Sequence, residues 1–445
     1  MSAAARTSLD PVTPARQAAA EILADLRDGL LLDPAFDRRT AVLDARDRRW
    51  TQELVYGLLR RREAIDAALR PRVRGGIERI DADLTDLLRL GACQLLHMGS
   101  VPPYAAIAQT VELVKRRHGA GAGGLANAVL RRLDRERASL GAPGAPGQSA
   151  EELAAYYSHP RWLVERWVSR FGAPETERLL EHNNREAPVN LRPWGVAGDA
   201  LESLLRTEGV ETIAVPLASD SLQLPAGTPF LELAAWRQGR CFVQDPAATM
   251  VTRYASLPAG VVAADLCAAP GGKALELART ARYVVAADRS PARLARMAAN
   301  LVRLAVTNVG LVAMDASVPA TDTFDAVLVD VPCTGTGTFR RHPDARWRLR
   351  QSDLAVLAAT QAMLLRAAAS RVRPGGLLVY STCSLEHEEN DAQVDDFLLA
   401  HPHWVPDPPP SHAVPANVIA GGRLRVLPQF HGTDGAFAAR LRRES

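Results

Sequence analysis

The sequence predicts a multidomain protein with an all-α bundle at its amino end, a small α+β unit in the middle and an α/β domain at its carboxyl end. Three patterns support this prediction. Apolar residues recur at three- and four-residue spacing in the first third of the chain, short strands flank a helix in the middle, and strands alternate with helices from residue 261 onward. A chain of 445 residues is also too long for one compact core.

Residues 1–138 are predicted to form a helical bundle. Helical periodicity runs through the segments Pro14–Leu31, Asp47–Leu69, Asp81–His97, Ala105–Arg117 and Leu125–Arg135. Residues 139–150 are rich in Gly, Ala and Pro, a composition typical of a linker. Residues 151–240 combine helical segments with short strand patterns such as Val189–Pro193 and Glu211–Val215, which predicts the small α+β unit.

Residues 241–445 predict a doubly wound parallel sheet of the Rossmann-like type, because strand and helix patterns alternate there. The strand segments are Val261–Leu266, Tyr283–Ala287, Val309–Ala313, Phe324–Val329 and Leu377–Tyr380. Ligands of such sheets bind at the carboxyl ends of the strands. An acidic residue falls at or beside most of these ends, namely Asp265, Asp288, Asp315 and Asp330.

Composition excludes several classes of protein. A hydrophobic content of 47%, a charged content of 23% and a net charge of +3 are those of an ordinary soluble globular chain. No apolar run of about twenty residues and no signal-peptide core occur, so no membrane partner and a cytoplasmic location are expected. The cysteines are odd in number, widely spaced and without a Cys-x-x-Cys pair, which favours reduced thiols and predicts no metal site.

The segment Asp265-Leu-Cys-Ala-Ala-Pro-Gly-Gly-Lys273 is a small-residue loop after a predicted strand. It departs from the Gly-x-Gly-x-x-Gly dinucleotide fingerprint, but its glycines still let the backbone approach a ligand at the start of a helix. Lys273 is one of two lysines among 53 basic residues, which favours a specific role for its compact charge. Asp288 is placed to accept from ribose hydroxyls and Asp315 from an adenine amino group, so S-adenosylmethionine is favoured over NAD.

Two cysteine turns carry the predicted chemistry: Asp330-Val-Pro-Cys333-Thr-Gly-Thr-Gly and Ser-Thr-Cys383-Ser. Carbon 5 of cytosine is a poor nucleophile, but a thiolate added at carbon 6 makes carbon 5 enamine-like and able to take a methyl group from a sulfonium. Asp330 can protonate the ring nitrogen if burial raises its pKa, and a second thiolate or a water can remove the carbon 5 proton. The pattern therefore predicts methyl transfer to carbon 5 of a pyrimidine.

A basic run beside the first cysteine turn predicts RNA contacts. Arginine suits phosphate and base stacking, and an aromatic side chain suits a flipped-out nucleotide. A solvated helix face is the alternative interpretation. The candidate RNA-binding residues are Arg340, Arg341, His342, Arg346 and Trp347.

Taken together, the loop that ends at Lys273 and the two cysteine turns resemble the RNA (cytosine-5) methyltransferases of the Nol/Nop/Sun type. The resemblance is strongest to the bacterial Sun-type branch, because residues 13–138 resemble the antitermination factor NusB, notably in Leu125–Arg132. It covers nearly the whole chain. Two departures are a threonine at 334, where the family usually has serine, and an alanine at 436, where a bulky aromatic is common.

The resemblance implies roles for individual residues. It makes Cys383 the nucleophile and Cys333 the cysteine that assists release of the product. Asp330 keeps two candidate roles, one toward the cofactor and one toward the cytosine. The residues that the resemblance places around S-adenosylmethionine are Cys267, Ala268, Ala269, Pro270, Gly271, Gly272, Lys273, Asp288, Asp315 and Asp330.

The resemblance also implies the substrate. Bacterial members of the Sun-type branch methylate the cytosine at position 967 of 16S ribosomal RNA, so this RNA is the expected partner. One alternative is the same chemistry on transfer RNA or another ribosomal site. Another is a non-catalytic RNA-binding assembly factor, which the retention of Cys333 and Cys383 disfavours. A third is an amino-methylating enzyme, which Cys383 disfavours. The sequence indicates no oligomeric state.

Overall fold

The computed structural model describes residues 12–140, 147, 149–318 and 322–445. The chain forms two compact units. The first unit contains the residues up to Asn184 together with the short segment His342–Arg348, and the second contains Arg185–Arg341 and Leu349–Ser445. None of the described helices is long and apolar enough to cross a membrane.

The first unit is helical, which confirms the predicted bundle. Its helices are α1 (Pro14–Arg27), α2 (Leu32–Thr40), α3 (Ala45–Arg60), α4 (Arg62–Leu69), α5 (Ala82–His97), α6 (Pro103–Glu136), α7 (Ala150–Tyr157), α8 (Arg161–Phe171) and α9 (Ala173–Asn184), with one further turn at Ala345–Arg348. Asp44 and Asp81 cap α3 and α5 by accepting from backbone N–H groups of the first turn. The two helices predicted between residues 105 and 135 are confirmed within α6, because Gly119, with a φ of 82° and a ψ of 175°, is not helical and separates them.

Most of the predicted linker, residues 139–150, lies outside the described residues. Its last residues are well defined, because Ser149 and Glu152 form a reciprocal capping box that begins α7. Helices α7–α9 belong to the first unit, so the structure divides the chain near residue 184 and not near residue 150.

A small antiparallel sheet opens the second unit and confirms the predicted α+β element. Its strand order is β2-β3-β1-β4. The sheet extends past the predicted boundary at residue 240, because the backbone of the last strand pairs with that of the first. The elements are β1 (Asn190–Pro193), α10 (Gly198–Thr207), β2 (Ile213–Ala214), β3 (Leu222–Gln223), α11 (Ala234–Arg237) and β4 (Cys241–Val243).

The large sheet of the second unit has a parallel half and an antiparallel half. The parallel strands are β5 (Val262–Asp265), β6 (Tyr283–Asp288), β7 (Val309–Ala313), β8 (Phe324–Asp330) and β9 (Val372–Thr382). The added antiparallel strands are β10 (Trp404–Pro406), β11 (Ile419–Ala420), β12 (Arg423–Val426) and β13 (Ala436–Arg443). The helices are α12 (Pro246–Ala255), α13 (Gly272–Ala278), α14 (Pro291–Arg303), α15 (Gln351–Ser370), α16 (Asp391–Ala400) and α17 (Pro428–His431).

The strand order places a ligand crevice at one position of this sheet. Across the described residues the order is β11-β12-β13-β9-β8-β5-β6-β7, with β10 beside β13. The chain moves outward from β5 to β6 and β7, then returns to β8 on the other side of β5. The carboxyl ends of β5 and β8 therefore flank the topological switch point, where doubly wound sheets bind their ligands. Apolar clusters cover both faces of the sheet.

Candidate active site

The register of two neighbouring strands brings the two cysteine turns together. In the parallel pair β8 and β9, Asp330 lies opposite Ser381. Cys333 follows the first of these residues by three positions and Cys383 follows the second by two, so both thiols leave the sheet at the same edge. Their sulfur atoms are 3.2 Å apart. Both side chains are partly exposed.

Close backbone packing fixes the turn that carries Cys383. Gly337 N–H donates to the Cys383 carbonyl at 3.0 Å, and Gly435 N–H donates to the Gly337 carbonyl at 2.7 Å. A Cβ atom at position 337 would lie 2.6 Å from the Cys383 carbonyl oxygen and 2.7 Å from the Gly435 Cα. Glycine is therefore required at 337, since any side chain would push the Cys383 turn away from the sheet.

Asp330 is held from two directions. Lys273 Nζ donates to one carboxylate oxygen at 2.6 Å, and Ser381 Oγ donates to the other at 2.7 Å. Burial disfavours the Lys273 ammonium, but the Asp330 carboxylate together with the nearby Asp265 and Cys383 raises the pKa of Lys273. Lys273 is thus a cation paired with the Asp330 carboxylate and under the electrostatic influence of Cys383.

A cavity of about 330 Å³ lies in front of Lys273 and Asp330. The loop after β5 forms one side of it, and residues from β4 and the start of α12 form another. Its lining includes Trp236, Phe242, Gln244, Asp245, Asp265, Cys267, Ala268, Ala269, Pro270, Gly272, Lys273, Asn300, Asp330, Arg341 and Asp434.

The loop after β5 fits S-adenosylmethionine. Gly271 has a φ of 108° and Gly272 begins α13, and a Cβ atom on either would lie 2.8 Å from a neighbouring side chain. Asp265 is fully buried, and neither of its carboxylate oxygens has a hydrogen-bond partner among the described residues. A buried, unpartnered carboxylate beside a glycine-lined cavity suits a cationic ligand with amino and hydroxyl donors.

The surroundings of Asp265 raise the pKa of its carboxyl group. Burial, followed by the negative charge of Asp330, raises the pKa of Asp265 to about 7, and the Lys273 ammonium opposes this rise. The sequence placed Asp265 at a strand end but gave it no ligand role.

Asp288 and Asp315 occupy different environments. Asp288 is buried and accepts from Ala269 N–H at 3.2 Å and Ser290 N–H at 2.9 Å, and Arg293 pairs with it. Asp288 therefore supports the cofactor loop directly. Asp315 is exposed beyond β7 and accepts from Ser317 N–H at 2.9 Å, which lowers the pKa of its carboxyl group. Its contact with adenine stays a prediction.

The thiols near the cavity differ in their readiness to ionise. Burial raises the pKa of Cys267 to about 12. The hydrogen bond with Cys383, followed by burial, raises the pKa of Cys333 well above its ordinary value. Cys333 therefore keeps its proton at neutral pH, and its thiol can donate a hydrogen bond to the Cys383 sulfur.

The predicted RNA-binding run is divided between the two units. In the second unit Arg340 is buried and donates to the Gly432 carbonyl at 3.2 Å. Its neighbour Arg341 pairs with Asp434 at 2.9 Å and Asp245 at 2.7 Å. Burial, together with the charge of Asp434, raises the pKa of Asp245 to about 6. Arg341 and its two carboxylate partners line one wall of the cavity.

In the first unit, Arg346 is fully buried and donates to Asn184 Oδ1 at 2.8 Å and to the Asn183 carbonyl at 3.0 Å. These contacts give Arg346 a structural role, and burial does the same for Arg340. Their contacts with RNA stay predictions. His342 and Trp347 are partly exposed and remain candidates, although Trp347 Nε1 donates to the Leu59 carbonyl at 2.7 Å.

A testable consequence follows from the buried Asp265. Its folded-state pKa lies above that of an unfolded carboxyl group, so the folded chain binds more protons and loses stability as pH rises from about 4 to 7. We expect Asp265→Asn to stabilise the ligand-free protein at pH 8 by at most about 4 kcal/mol, and by less at pH 5. Thermal unfolding midpoints at the two pH values measure this difference. Asp315→Asn is the matched control, and an equal gain from it at pH 8 would contradict the assignment.

Comparisons with known proteins identify the family to which the chain is related. Residues 259–442 match the family model described as 16S rRNA methyltransferase RsmB/F, residues 13–135 match the NusB family, and residues 159–230 match the ferredoxin-like domain of RsmF/B-like methyltransferases. The ribosomal RNA small subunit methyltransferase B of Vibrio cholerae is 35% identical over 96% of this chain and 97% of its own length. That of Xylella fastidiosa is 35% identical over 90% and 93%.

Solved structures share the fold. The crystal structure of PH0851 superposes with a TM-score of 0.81 at 25% identity and covers 97% of this chain and 98% of its own. The structure of NSun6 from Pyrococcus horikoshii with SFG has a TM-score of 0.57 at 22% identity and covers 64% of this chain and 98% of its own.

Fold and site together define an S-adenosylmethionine-dependent methyltransferase. The loop Cys267–Lys273 and Asp288 would hold the cofactor, which supplies an electrophilic methyl group when bound. Within this class, the chain belongs to the RsmB/F family of 16S rRNA methyltransferases and carries that family's NusB-type amino-terminal domain.

Sequence reasoning missed several residues of this site. Three of them, Ser381, Glu389 and Asn390, contact Asp330 or the two cysteine turns. Ser381 belongs to the Ser-Thr-Cys-Ser motif but has no predicted role there. Glu389 and Asn390 lie on a turn beyond that motif. Asp245 and Asp434 reach the cavity from distant parts of the chain. The one available signal was the occurrence of polar residues directly after the Thr-Cys motif.

Proposed function

We propose that the protein methylates carbon 5 of a cytosine in 16S ribosomal RNA through a transient bond between Cys383 and carbon 6. The observation that carries the proposal is the 3.2 Å separation of the Cys333 and Cys383 sulfur atoms beside the Lys273–Asp330 pair. An amino-methylating enzyme has no use for two thiols in contact. Membership in the RsmB/F family supports the choice of RNA.

The proposed reaction has two halves, in which different residues act. In the first half, the Cys383 thiolate adds to carbon 6, and electrons move through the ring so that carbon 5 becomes nucleophilic. The ring nitrogen gains a proton as this happens. We assign that proton to the Lys273 ammonium, which passes it through the Asp330 carboxylate to the ring nitrogen and takes it back when the product is released. Asp330 thus acts on the cytosine while its partner Lys273 stays anchored to the cofactor loop.

In the second half, the proton on carbon 5 is removed and the Cys383 sulfur is expelled. Once Cys383 is bonded to the ring, Cys333 loses the partner to which it donates a hydrogen bond. The Cys333 sulfur then lies next to the adduct and can take the carbon 5 proton after giving up its own to a water or base. In this sequence of steps, Cys383 is the only thiol that attacks the ring.

The relatives indicate the target RNA. Proteins 35% identical over nearly their full length are named for the small ribosomal subunit. We therefore propose 16S ribosomal RNA as the substrate and the cytosine at position 967 as the site. Transfer RNA is the second candidate, which the same experiment separates.

Bisulfite mapping of ribosomal and transfer RNA from a strain that lacks the gene tests the proposal. We expect one cytosine of 16S RNA to lose protection in the deletion strain and to regain it when the wild-type chain is supplied. If only transfer RNA lost protection, transfer RNA would be the substrate. If no 5-methylcytosine changed, the proposed reaction would be refuted.

A further inference from the structure

Two adjacent residues, Glu389 and Asn390, lie behind the thiol pair at the junction between a 3₁₀ turn and α16. Both side chains are buried, with exposed fractions of 0% and 3%. A buried carboxylate and a buried amide each require hydrogen-bond partners. Their partners are the two cysteine turns, one for each residue.

Glu389 binds the turn that carries Cys333. Its Oε1 atom accepts from Thr334 N–H at 2.9 Å and from Gln361 Nε2 at 2.8 Å, and its Oε2 atom accepts from the Thr334 hydroxyl. The same Gln361 amide donates to the Pro332 carbonyl at 3.0 Å. The residues on both sides of Cys333 are thus tied to one carboxylate, Thr334 directly and Pro332 through Gln361.

Asn390 binds the turn that carries Cys383. The Thr382 hydroxyl donates to Asn390 Oδ1 at 2.5 Å, and Asn390 Nδ2 donates to the Ser384 carbonyl at 2.8 Å. These contacts fix the residue before Cys383 and the residue after it. The arrangement mirrors the one at Glu389.

Further contacts join the two turns into one frame. The hydroxyls of Thr334 and Ser384 are 3.1 Å apart, and the Tyr380 hydroxyl donates to the Glu389 carbonyl at 2.6 Å. The backbone of the Glu389–Asn390 pair is therefore anchored to β9, while its side chains hold both turns. The separation of the sulfur atoms depends on this pair.

We infer that Glu389 and Asn390 are positioning residues that set the separation of the two thiols, Glu389 through the Cys333 turn and Asn390 through the Cys383 turn. The inference rests on the proposed function for its catalytic consequence, but the geometry can be tested without RNA. A displacement of about 1 Å from the reactive geometry can reduce a rate about 100-fold. The two residues should therefore affect different halves of the reaction.

The Glu389 charge has a second effect, because it is among the groups that raise the pKa of Cys333. Removing the Glu389 charge lowers the pKa of Cys333 and brings it closer to the pKa of an ordinary thiol. Glu389→Gln should therefore change the pH dependence of turnover, which a purely structural residue would leave alone.

The first experiment measures the thiol geometry alone. The variants are Glu389→Gln and Asn390→Asp, both close in shape to the native residues, and the control is Asp396→Asn on the exposed surface of α16. Diamide takes two hydrogens from a thiol pair, leaving a disulfide and the reduced hydrazine. We expect Cys333–Cys383 disulfide formation, followed by peptide mass spectrometry, to slow about tenfold in both variants and to stay at the wild-type rate in the control.

The second experiment measures catalysis on the RNA substrate. We expect kcat to fall by up to about 100-fold in both variants while KM for RNA is unchanged. Glu389→Gln should accumulate the covalent RNA complex, and Asn390→Asp should form less of it. Wild-type disulfide rates and wild-type turnover in both variants would overturn the inference. If the wild-type enzyme made no 5-methylcytosine, the proposed function would be refuted. The disulfide rates would then still test whether Glu389 and Asn390 set the separation of the thiols.

Discussion

Cys383→Ala is expected to abolish methyl transfer, with a fall in kcat of at least about 10³-fold. The alanine leaves the cavity and the Lys273–Asp330 pair intact but removes the atom that bonds to carbon 6. Cys333 does not replace it, because burial still disfavours its thiolate when the hydrogen bond to Cys383 is lost, and its sulfur lies 3.2 Å from the position of the attacking atom. Transfer of a labelled methyl group to RNA, measured with single-turnover kinetics, gives the rate.

Cys93→Ala is the matched control, since it removes a buried thiol from the helical bundle. We expect it to lose some stability and to keep its methylation rate. If Cys383→Ala retained wild-type activity while Cys93→Ala behaved as expected, Cys383 could not be the nucleophile.

Cys333→Ala is expected to trap the enzyme on its substrate. Cys383 still attacks, but removal of the carbon 5 proton loses its nearest acceptor, at 3.2 Å from the attacking sulfur in the free protein. The covalent complex should resist denaturing electrophoresis and appear as a band that contains both protein and labelled RNA. Multiple turnover should fall at least about 10²-fold.

The double variant Cys333→Ala with Cys383→Ala controls for nonspecific crosslinking and should give no such band. A Cys333→Ala enzyme that turns over normally without a trapped complex would show that water, and not Cys333, removes the proton.

The parallel half of the large sheet could be predicted because its strands are apolar runs separated by amphipathic helices. The acidic residues at the strand ends and the two cysteine turns then located the reactive edge. What the sequence could not give is the strand register. The 3.2 Å contact between the sulfur atoms depends on Asp330 lying opposite Ser381, and a shift of one residue would send the two turns apart.

Long-range contacts explain the remaining differences. The strands β10–β12 are short, and the pairing that joins them through β13 to β9 is not encoded in local periodicity. Arg346 sits in a basic run typical of RNA contacts, yet it is buried among polar groups of the first unit. Glu389 has a side chain of a type that usually lies at the surface, and its burial depends on a turn 55 residues away, as its pairing with Thr334 shows.

The contact between Gly435 and Gly337 has a consequence for protein synthesis. Gly435 directly precedes β13, and that strand covers the edge of β9 that leads to Cys383. A nascent chain in which these residues are still inside the ribosome has its cofactor loop and both cysteines but lacks the backbone support of the attacking turn. The turn that carries Cys383 therefore gains this support only after Gly435 and β13 have left the ribosome.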